Sequence, residues 1–579
     1  MATESFTDEE RARLAPHFTS LDGPVFALTN LPEVVKGALF ARYSRSPKSV
    51  RRLFLDEFSS GGAASAPVAA VGVERAERLY ERVFLEYGDD SVAQLGGVHL
   101  ACENVSNVMT KVLEWGRLMA YLEQSTRYIP YTDRPGGRWR YHVPEELDGL
   151  PALRERYVAT LDAAFETYAK WLEPLQAHLA GRYPRDPAVS EGAHRNAIRA
   201  KALDALRGLL PAATQANVGL YGTAQAYEAL LLRLRSHPLA EARACYGRML
   251  NELKQVIPAF LRRVEMPERG GDEWARYLRQ TRDATESVAK RLLAGVRPEP
   301  REEEVTLTDV DPDGEVKVVA AALYSSSDLP DDQLLQFARG LPEETREAVL
   351  AAYVGDRRNR RHKPGRAFER TAYRFDVLTD YGAFRDLQRH RLLTLEWQPL
   401  SPAHRYRVPE LVEDARADQD WRRIMEMSAE LYDALVAADR ASIAPYAVCM
   451  AYRVRFYMEM NAREAMHILE LRTSPQGHPS YRRVCQAMFD LIKKHHPAIA
   501  KTMRHVDQSP VALERLESER RIEVRRATLD RPSAQTTAAS QMEVTTEPHP
   551  LIKGVESQTA SGAGIVEIEN PRSTDPGVR

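Results

Sequence analysis

The chain has 579 residues, 44% of them apolar and 28% charged. That length predicts two or three domains, and the apolar share excludes disorder as the main state. Lys plus Arg total 80 against 82 Asp plus Glu, a balance that excludes a long-range field of one sign for wrapping nucleic acid or docking on an acidic membrane.

The N-terminus is acidic and lacks an apolar core, so no signal peptide is expected, and no apolar run of about 18 residues appears. A cytoplasmic location follows as the expectation. Val105, Val108, Met109, Val112 and Leu113 fall on the stripe of an amphipathic helix, and Trp139 to Val143 reads as a strand. Val296 to Glu315 combines prolines, an acidic run and an Asp-Pro-Asp-Gly turn, the composition of an exposed connection. Val316 to Leu323 reads as another strand. Val377, Tyr381, Phe384 and Leu387 predict a second amphipathic helix, with Arg389-His390-Arg391 at its end. After Phe489 there is no further Phe, Tyr or Trp, and from about Arg531 the chain is rich in Ser, Thr, Pro, Gly and Gln, too poor in large side chains to offset ordering entropy. The expected organisation is a first unit over 1–298, a linker over 299–315, a second unit over 316–510 and a flexible tail over 511–579.

Fragments recur in the same order in the two halves. Ala38-Leu39-Phe40-Ala41-Arg42-Tyr43-Ser44 is echoed by Val319-Ala320-Ala321-Ala322-Leu323-Tyr324-Ser325. Arg140-Tyr141-His142-Val143-Pro144-Glu145 returns as Arg405-Tyr406-Arg407-Val408-Pro409-Glu410. Leu232-Arg233-Leu234-Arg235 with His237-Pro238 returns as Leu469-Glu470-Leu471-Arg472 with His478-Pro479. The expected fold is therefore α+β, mainly helical, in two tandem diverged copies of one unit.

Several clusters could carry chemistry. Arg389-His390-Arg391 concentrates cationic donors that can grip a phosphate or a flavin's anionic face, although a solvated basic helix face has the same composition. Glu123-Gln124-Ser125-Thr126-Arg127-Tyr128 offers acceptors, hydroxyls and a guanidinium suited to a nucleotide, or to a polar turn. Arg207 and Arg472 stand beside apolar runs, either paired in the core or aimed into a pocket. Asn461, Arg463 and His467 do not share one tight helix face and suit a helix start as well as a ligand. The four cysteines, Cys102, Cys245, Cys449 and Cys485, form no Cys-x-x-Cys pair, so reduced buried thiols are expected and no metal centre is assigned. Gly-rich phosphate loops, His-Glu-x-x-His, Gly-x-Ser-x-Gly and the Rossmann fingerprint are all missing.

These residues resemble the flavin-dependent thymidylate synthases, whose signature is R-H-R-x-x-S-x-N-x-x-S-x-R-Y. Arg389-His390-Arg391-Leu392-Leu393-Thr394 is similar to its first half, with Thr for Ser. Glu123 to Tyr128 is similar to its second half, while Trp115-Gly116-Arg117 stands where the first copy should carry R-H-R. Arg207 to Pro211 resembles the family's R-x-x-L-P, and the second copy near Pro445 lacks that arginine. The resemblance implies a composite site in which the first copy holds a uracil nucleotide (Glu123, Gln124, Ser125, Arg127, Arg207). The second would hold FAD (Arg389, His390, Arg391, Asn461, Arg463, His467), with Arg472 or Arg235 stabilising the ionised uracil. It further implies methylation of dUMP or a related uracil nucleotide, with methylenetetrahydrofolate and NADPH as co-substrates, in a homodimer that forms a pseudo-tetramer. Departures at Glu396, Trp397 and Pro399 leave a second expectation, a non-catalytic nucleotide-binding or scaffolding relative.

Overall fold

A computed structural model describes residues 5–44, 46–59, 94–268, 270–297 and 303–529. The described residues as far as Val524 form one compact unit. It is α+β, with two antiparallel sheets framed by helices.

In chain order, helix α1 (Glu33–Tyr43) precedes strand β1 (Gly97–Ser106), helix α2 (Asn107–Leu113) and strand β2 (Met119–Glu123). Long helices α3 (Pro151–Arg182) and α4 (Glu191–Leu206) come next, then strand β3 (Gln215–Thr223) and helices α5 (Ala224–Arg235) and α6 (Ala240–Leu253). Strand β4 (Val305–Val310), helix α7 (Gly314–Tyr324), strand β5 (Ala372–Asp380), helix α8 (Tyr381–Leu387) and strand β6 (Thr394–Trp397) succeed them. Helix α9 (Asp418–Ala437), strand β7 (Arg453–Asn461) and helices α10 (Ala462–Arg472), α11 (Pro479–His495) and α12 (Leu516–Leu529) complete the principal elements. The first sheet has the order β1-β3-β2 and the second β4-β5-β7-β6.

Alternation decides which strand faces are buried. In β3, Ala216, Val218 and Leu220 point inward, and in β7, Val454, Phe456, Met458 and Met460 do so, as period-two side-chain placement requires. Four strands run directly into helices, and each junction is closed by the strand's last residue. Ser106, Thr223, Asp380 and Asn461 accept hydrogen bonds from the backbone N–H groups of Met109, Ala226, Ala383 and Glu464, satisfying donors that a helix start leaves unpaired.

The chain on either side of residue 300 does not separate into independent bodies. Helix α9 packs on α3, and the backbones of Leu210–Ala213 and Tyr446–Met450 exchange hydrogen bonds, including Ala212 N–H to Val448 O at 2.8 Å and Met450 N–H to Leu210 O at 2.9 Å. Gly208 lies against the buried Trp421 ring, whose Cη2 would sit 2.6 Å from any Cβ at that position.

Several sequence expectations are corrected. The proposed linker over 299–315 contains β4, hydrogen-bonded to β5 with Val305 opposite Val377, and the start of α7. The charged run masks a strand because β4 is an edge strand with only one buried residue in six, Val305. Val316 to Leu323 is helical, within α7, where Ala320 to Ala322 favour helix and Val318 and Val319 are buried. Trp139 to Val143 forms no strand, only an isolated bridge between Tyr141 and Thr214. Val105 and Val377 belong to β1 and β5, because each predicted helical stripe straddles a capped strand-to-helix junction. Helix α8 has seven residues, and Arg389-His390-Arg391 follows it in the turn toward β6. The tail expected from 511 begins with structure. Glu514 and Arg515 are buried, Glu514 accepts two bonds from Lys201 Nζ at 2.9 and 3.1 Å, and α12 continues to Leu529. Residues 530–579 lie outside the described ones.

Candidate functional site

The turn after α8 and the C-terminus of α10 bring charged side chains of the second sheet against residues of the first. Their focus is Asp386, on the last turn of α8, whose carboxylate accepts a hydrogen bond from Arg389 Nη2. Arg207 Nη1 lies 3.6 Å and Arg472 Nη1 3.9 Å from the same carboxylate. Burial alone would raise the Asp386 pKa, but Arg389, Arg207, Arg472 and Arg127 together hold it well below the ordinary carboxylate range. Two of these guanidiniums remain incompletely satisfied. Arg207 Nη2 and Arg389 Nε are buried without a hydrogen-bond partner, and Arg472 donates through Nε to His390 Nε2 at 2.9 Å. Asp386, with Asp380 at 3.8 Å from Arg207 Nη2, is outnumbered by Arg207, Arg389 and Arg472, which leaves positive charge available to an anionic ligand.

Arg127 is placed differently. Its Nε and Nη2 grip both oxygens of Asp204 at 2.7 and 2.6 Å, and its Nη1 donates to Tyr481 Oη at 3.1 Å. Burial opposes both charges, yet the pairing raises the Arg127 pKa and lowers that of Asp204. Glu123 is likewise committed: it accepts from Arg385 Nη2 at 2.7 Å, Thr110 Oγ1 at 3.1 Å and Lys111 Nζ at 3.3 Å. Burial would raise Glu123, but Arg385 and Lys111 bring it below the usual range. Arg127 through Tyr481, and Glu123 through Arg385, each reach from residues below 300 to residues above it, so they also hold the two sheets together.

His390, Glu464 and His467 form a second cluster, with one ligand-type atom from each within 4.8 Å of the others. A guanidinium can only donate, so Arg472 fixes His390 Nε2 as an acceptor and puts the proton of the neutral ring on Nδ1. That nitrogen lies 3.4 Å from Glu464 Oε1. Burial raises the Glu464 carboxyl to about 7, while burial followed by Lys363, Arg360, Arg472 and Arg463 lowers His467 to about 4. Burial and Arg472 put His390 well below its usual value. A carboxyl that titrates near neutral pH, 3.4 Å from an imidazole nitrogen, can hold and pass a proton.

Two cavities flank the arginines. One, of about 530 Å³, is lined by Arg207, Asp204, Asp380, His478 and Arg453. The other, of about 400 Å³, is bounded by Trp115, Arg117 and Arg233 from the first sheet's region and by His390, Arg391 and Thr394 from the second. Arg391 Nη1 donates to the backbone oxygen of Met119, which closes the junction between β2 and this turn.

Three predicted site residues lie apart from the Asp386 cluster. Arg235 pairs with Asp272 and donates to Val264 O at 3.0 Å. Arg463 donates to Pro364 O at 2.9 Å and meets Glu369 at 3.3 Å. Asn461 spends its side-chain oxygen capping α10 at 2.9 Å. Each is directed by local backbone geometry, which motif spacing does not reveal. Gln124 and Ser125 occupy the turn after β2, where Gln124 N–H donates to Asn217 O at 2.8 Å and Ser125 Oγ accepts from Arg127 N–H at 3.3 Å.

Residues 38–259 and 306–498 match the family described as thymidylate synthase complementing protein. The chain belongs to this family. Among its relatives is a UPF0159 protein of Chlamydia muridarum (strain MoPn / Nigg), 38% identical over 523 residues, 89% of this chain and 98% of the relative. A UPF0159 protein of Thermoplasma acidophilum is 30% identical over 525 residues, 85% of this chain and 99% of the relative. Over 183 residues, 31% of this chain and 66% of the relative, the chain is 29% identical to a flavin-dependent thymidylate synthase of Mycobacterium marinum. The family matches and the Asp386 cluster coincide, since Arg207 falls in the first matched segment and Asp386, Arg389 and Arg472 in the second.

Sequence reasoning on the family motif missed Asp204, Asp386, Arg385, Tyr481 and Glu464 as members of the site. A signal for one of them was present: Asp386 stands three residues before Arg389, the spacing at which the two pair.

Proposed function

We propose that this chain catalyses FAD-dependent methylation of dUMP or a related uracil nucleotide, at a composite site built from two diverged copies of one unit. The carrying observation is the convergence of Arg207, from the first matched segment, with Arg389 and Arg472, from the second, on Asp386. Neither segment alone supplies this set. The repeated order of strand, helix, strand, long helix, strand and helix in 97–235 (β1, α2, β2, α3 with α4, β3, α5) and 372–472 (β5, α8, β6, α9, β7, α10), with the last strand central in both β1-β3-β2 and β5-β7-β6, supports the two-copy reading.

The residues suit an anionic flavin nucleotide, because His390 and Arg391 wall a cavity that Arg117 and Arg233 also line, and the adjoining Arg389 keeps a buried Nε without a hydrogen-bond partner. His390, Arg391 and Arg389 would hold FAD, which when bound supplies reducing equivalents from NADPH. Arg207 would bind the nucleotide, and Arg472, oriented by His390, would place fixed positive charge where the uracil ring ionises. His390 and Glu464 would hold the proton that must leave C5. The methylene group would come from methylenetetrahydrofolate. A homodimer forming a pseudo-tetramer belongs to the same reading and is tested by mass in solution.

Tritium release from 5-tritiated dUMP, with FAD, methylenetetrahydrofolate and NADPH, tests the proposal. Release should depend on all components and fall at least about a hundredfold in Arg389→Ala and Arg207→Ala, the size of losing one preorganised charge contact. Full activity in both variants refutes the composite site. A second reading, a non-catalytic nucleotide- or flavin-binding relative, is favoured by the internal pairing of Arg127 with Asp204 and of Glu123 with Arg385. Flavin and nucleotide binding without tritium release would select it.

A further inference from the structure

The cavity of about 400 Å³ has a wall that the family motif does not anticipate. Trp115 stands at the position where the motif would place arginine, and it is 45% exposed. One face of its ring meets the Arg233 guanidinium, 5.0 Å from the ring centroid. Arg233 Nη2 donates to Val112 O at 3.2 Å, and its Nε is buried without a hydrogen-bond partner. No carboxylate pairs with Arg233 among the described residues. The Trp115-Gly116 turn is held tightly: Tyr121 Oη donates to Gly116 O at 2.8 Å, and a Cβ at Gly116 would lie 2.8 Å from that same hydroxyl. Across the cavity, Arg117 Nη2 donates to Thr394 Oγ1 at 3.1 Å, tying the two walls together.

The charged residues lining the cavity are Arg117, Arg233 and Arg391 against Glu396, with His390 neutral. An exposed indole backed by a guanidinium, in a mainly apolar cavity with excess positive charge, matches a planar heteroaromatic ring that carries phosphate. We infer that Trp115 is the stacking wall for the isoalloxazine ring of a flavin nucleotide, with Arg233 bracing its rear face and Arg117 and Arg391 receiving the phosphate. The replacement of arginine by tryptophan in the first copy then creates a cofactor contact. This inference rests on the flavin reading of the proposed function.

Two measurements on the full chain test it: FAD affinity by equilibrium dialysis, and emission per bound FAD. Trp115→Ala should weaken FAD binding about tenfold, the effect of removing one aromatic stacking partner. Trp115→Phe should stay within about threefold of wild type, yet bound FAD should become brighter, because indole quenches a stacked flavin and phenyl does not. Wild-type affinity in Trp115→Ala together with unchanged emission in Trp115→Phe overturns the inference and leaves the flavin reading standing. No FAD binding by the wild-type chain overturns both. Should Trp115→Ala fail to fold, the emission of Trp115→Phe decides alone.

Discussion

Replacing Asp386 by asparagine removes one charge from the arginine cluster while keeping the side chain's shape. Arg207 and Arg472 lie 3.6 and 3.9 Å from the carboxylate, and Arg389 is hydrogen-bonded to it. At an effective dielectric of about 20, each of the two longer contacts amounts to about 4 kcal/mol of gross attraction. Desolvation cancels much of this, so the net cost of leaving buried guanidiniums unpaired is about 3–5 kcal/mol. For the compact unit that ends at Val524, whose unfolding entropy scales with its length, that corresponds to a fall in Tm of about 3–5 °C. The cluster should then bind anions more strongly. With phosphate binding at about 1 mM, about 50 mM phosphate would restore about 2 kcal/mol to the variant by linkage, and chloride at equal ionic strength would restore less. Scanning calorimetry of wild type and Asp386→Asn across a phosphate series reads both effects. An unchanged Tm in the variant, with phosphate acting equally on both proteins, refutes the claim that Asp386 neutralises an anion site.

Three other contacts carry expected outcomes of their own. Burial raises Glu464 from 4.5 to about 7, so its stabilising contribution is complete below about 4.5 and is lost as pH rises through about 7, a difference of about 3 kcal/mol. Denaturant titrations between about pH 5 and 8 should show wild type losing stability relative to Glu464→Gln; parallel profiles would refute the assignment. His467, lowered from 6.5 to about 4, contributes with the opposite sign, present above its unfolded value and lost as pH falls toward its folded one, and cancels in that comparison. Arg385→Met leaves Glu123 buried with Lys111 as its remaining ion-pair partner among the described residues and should cost about 3 kcal/mol in urea unfolding, whereas adding Glu123→Leu should recover part of that loss; additive losses would count against a coupled pair. Gly208→Ala forces a Cβ to 2.6 Å from Trp421 Cη2 and 3.0 Å from Ala451 Cβ, and should destabilise by about 1–3 kcal/mol through overpacking, read as a lower urea midpoint.

The α+β class and the resemblance to the family were legible because both rest on local information: period-two and period-3.6 patterns, and motif fragments in register. The strand-to-helix junctions were not, since a capped junction such as Ser106 or Asp380 interrupts neither apolar pattern, and the stripe through Val105 or Val377 runs on across it. Strand β4 was hidden for a related reason, because an edge strand with one buried residue keeps the composition of a loop.

By itself, the sequence determined which residue types this protein could bring to a site: arginines 127, 207, 389 and 472, the Glu123 segment, and the tryptophan at 115. Only the tertiary structure decided their partners. Arg127 and Glu123 are consumed by Asp204 and Arg385, Arg235 and Arg463 turn to local carboxylates, and Arg207, Arg389 and Arg472 meet at Asp386. Electrostatic pairing depends on the distance between charges, and for residues as far apart in the chain as Arg207 and Asp386 that distance exists only once the two sheets pack.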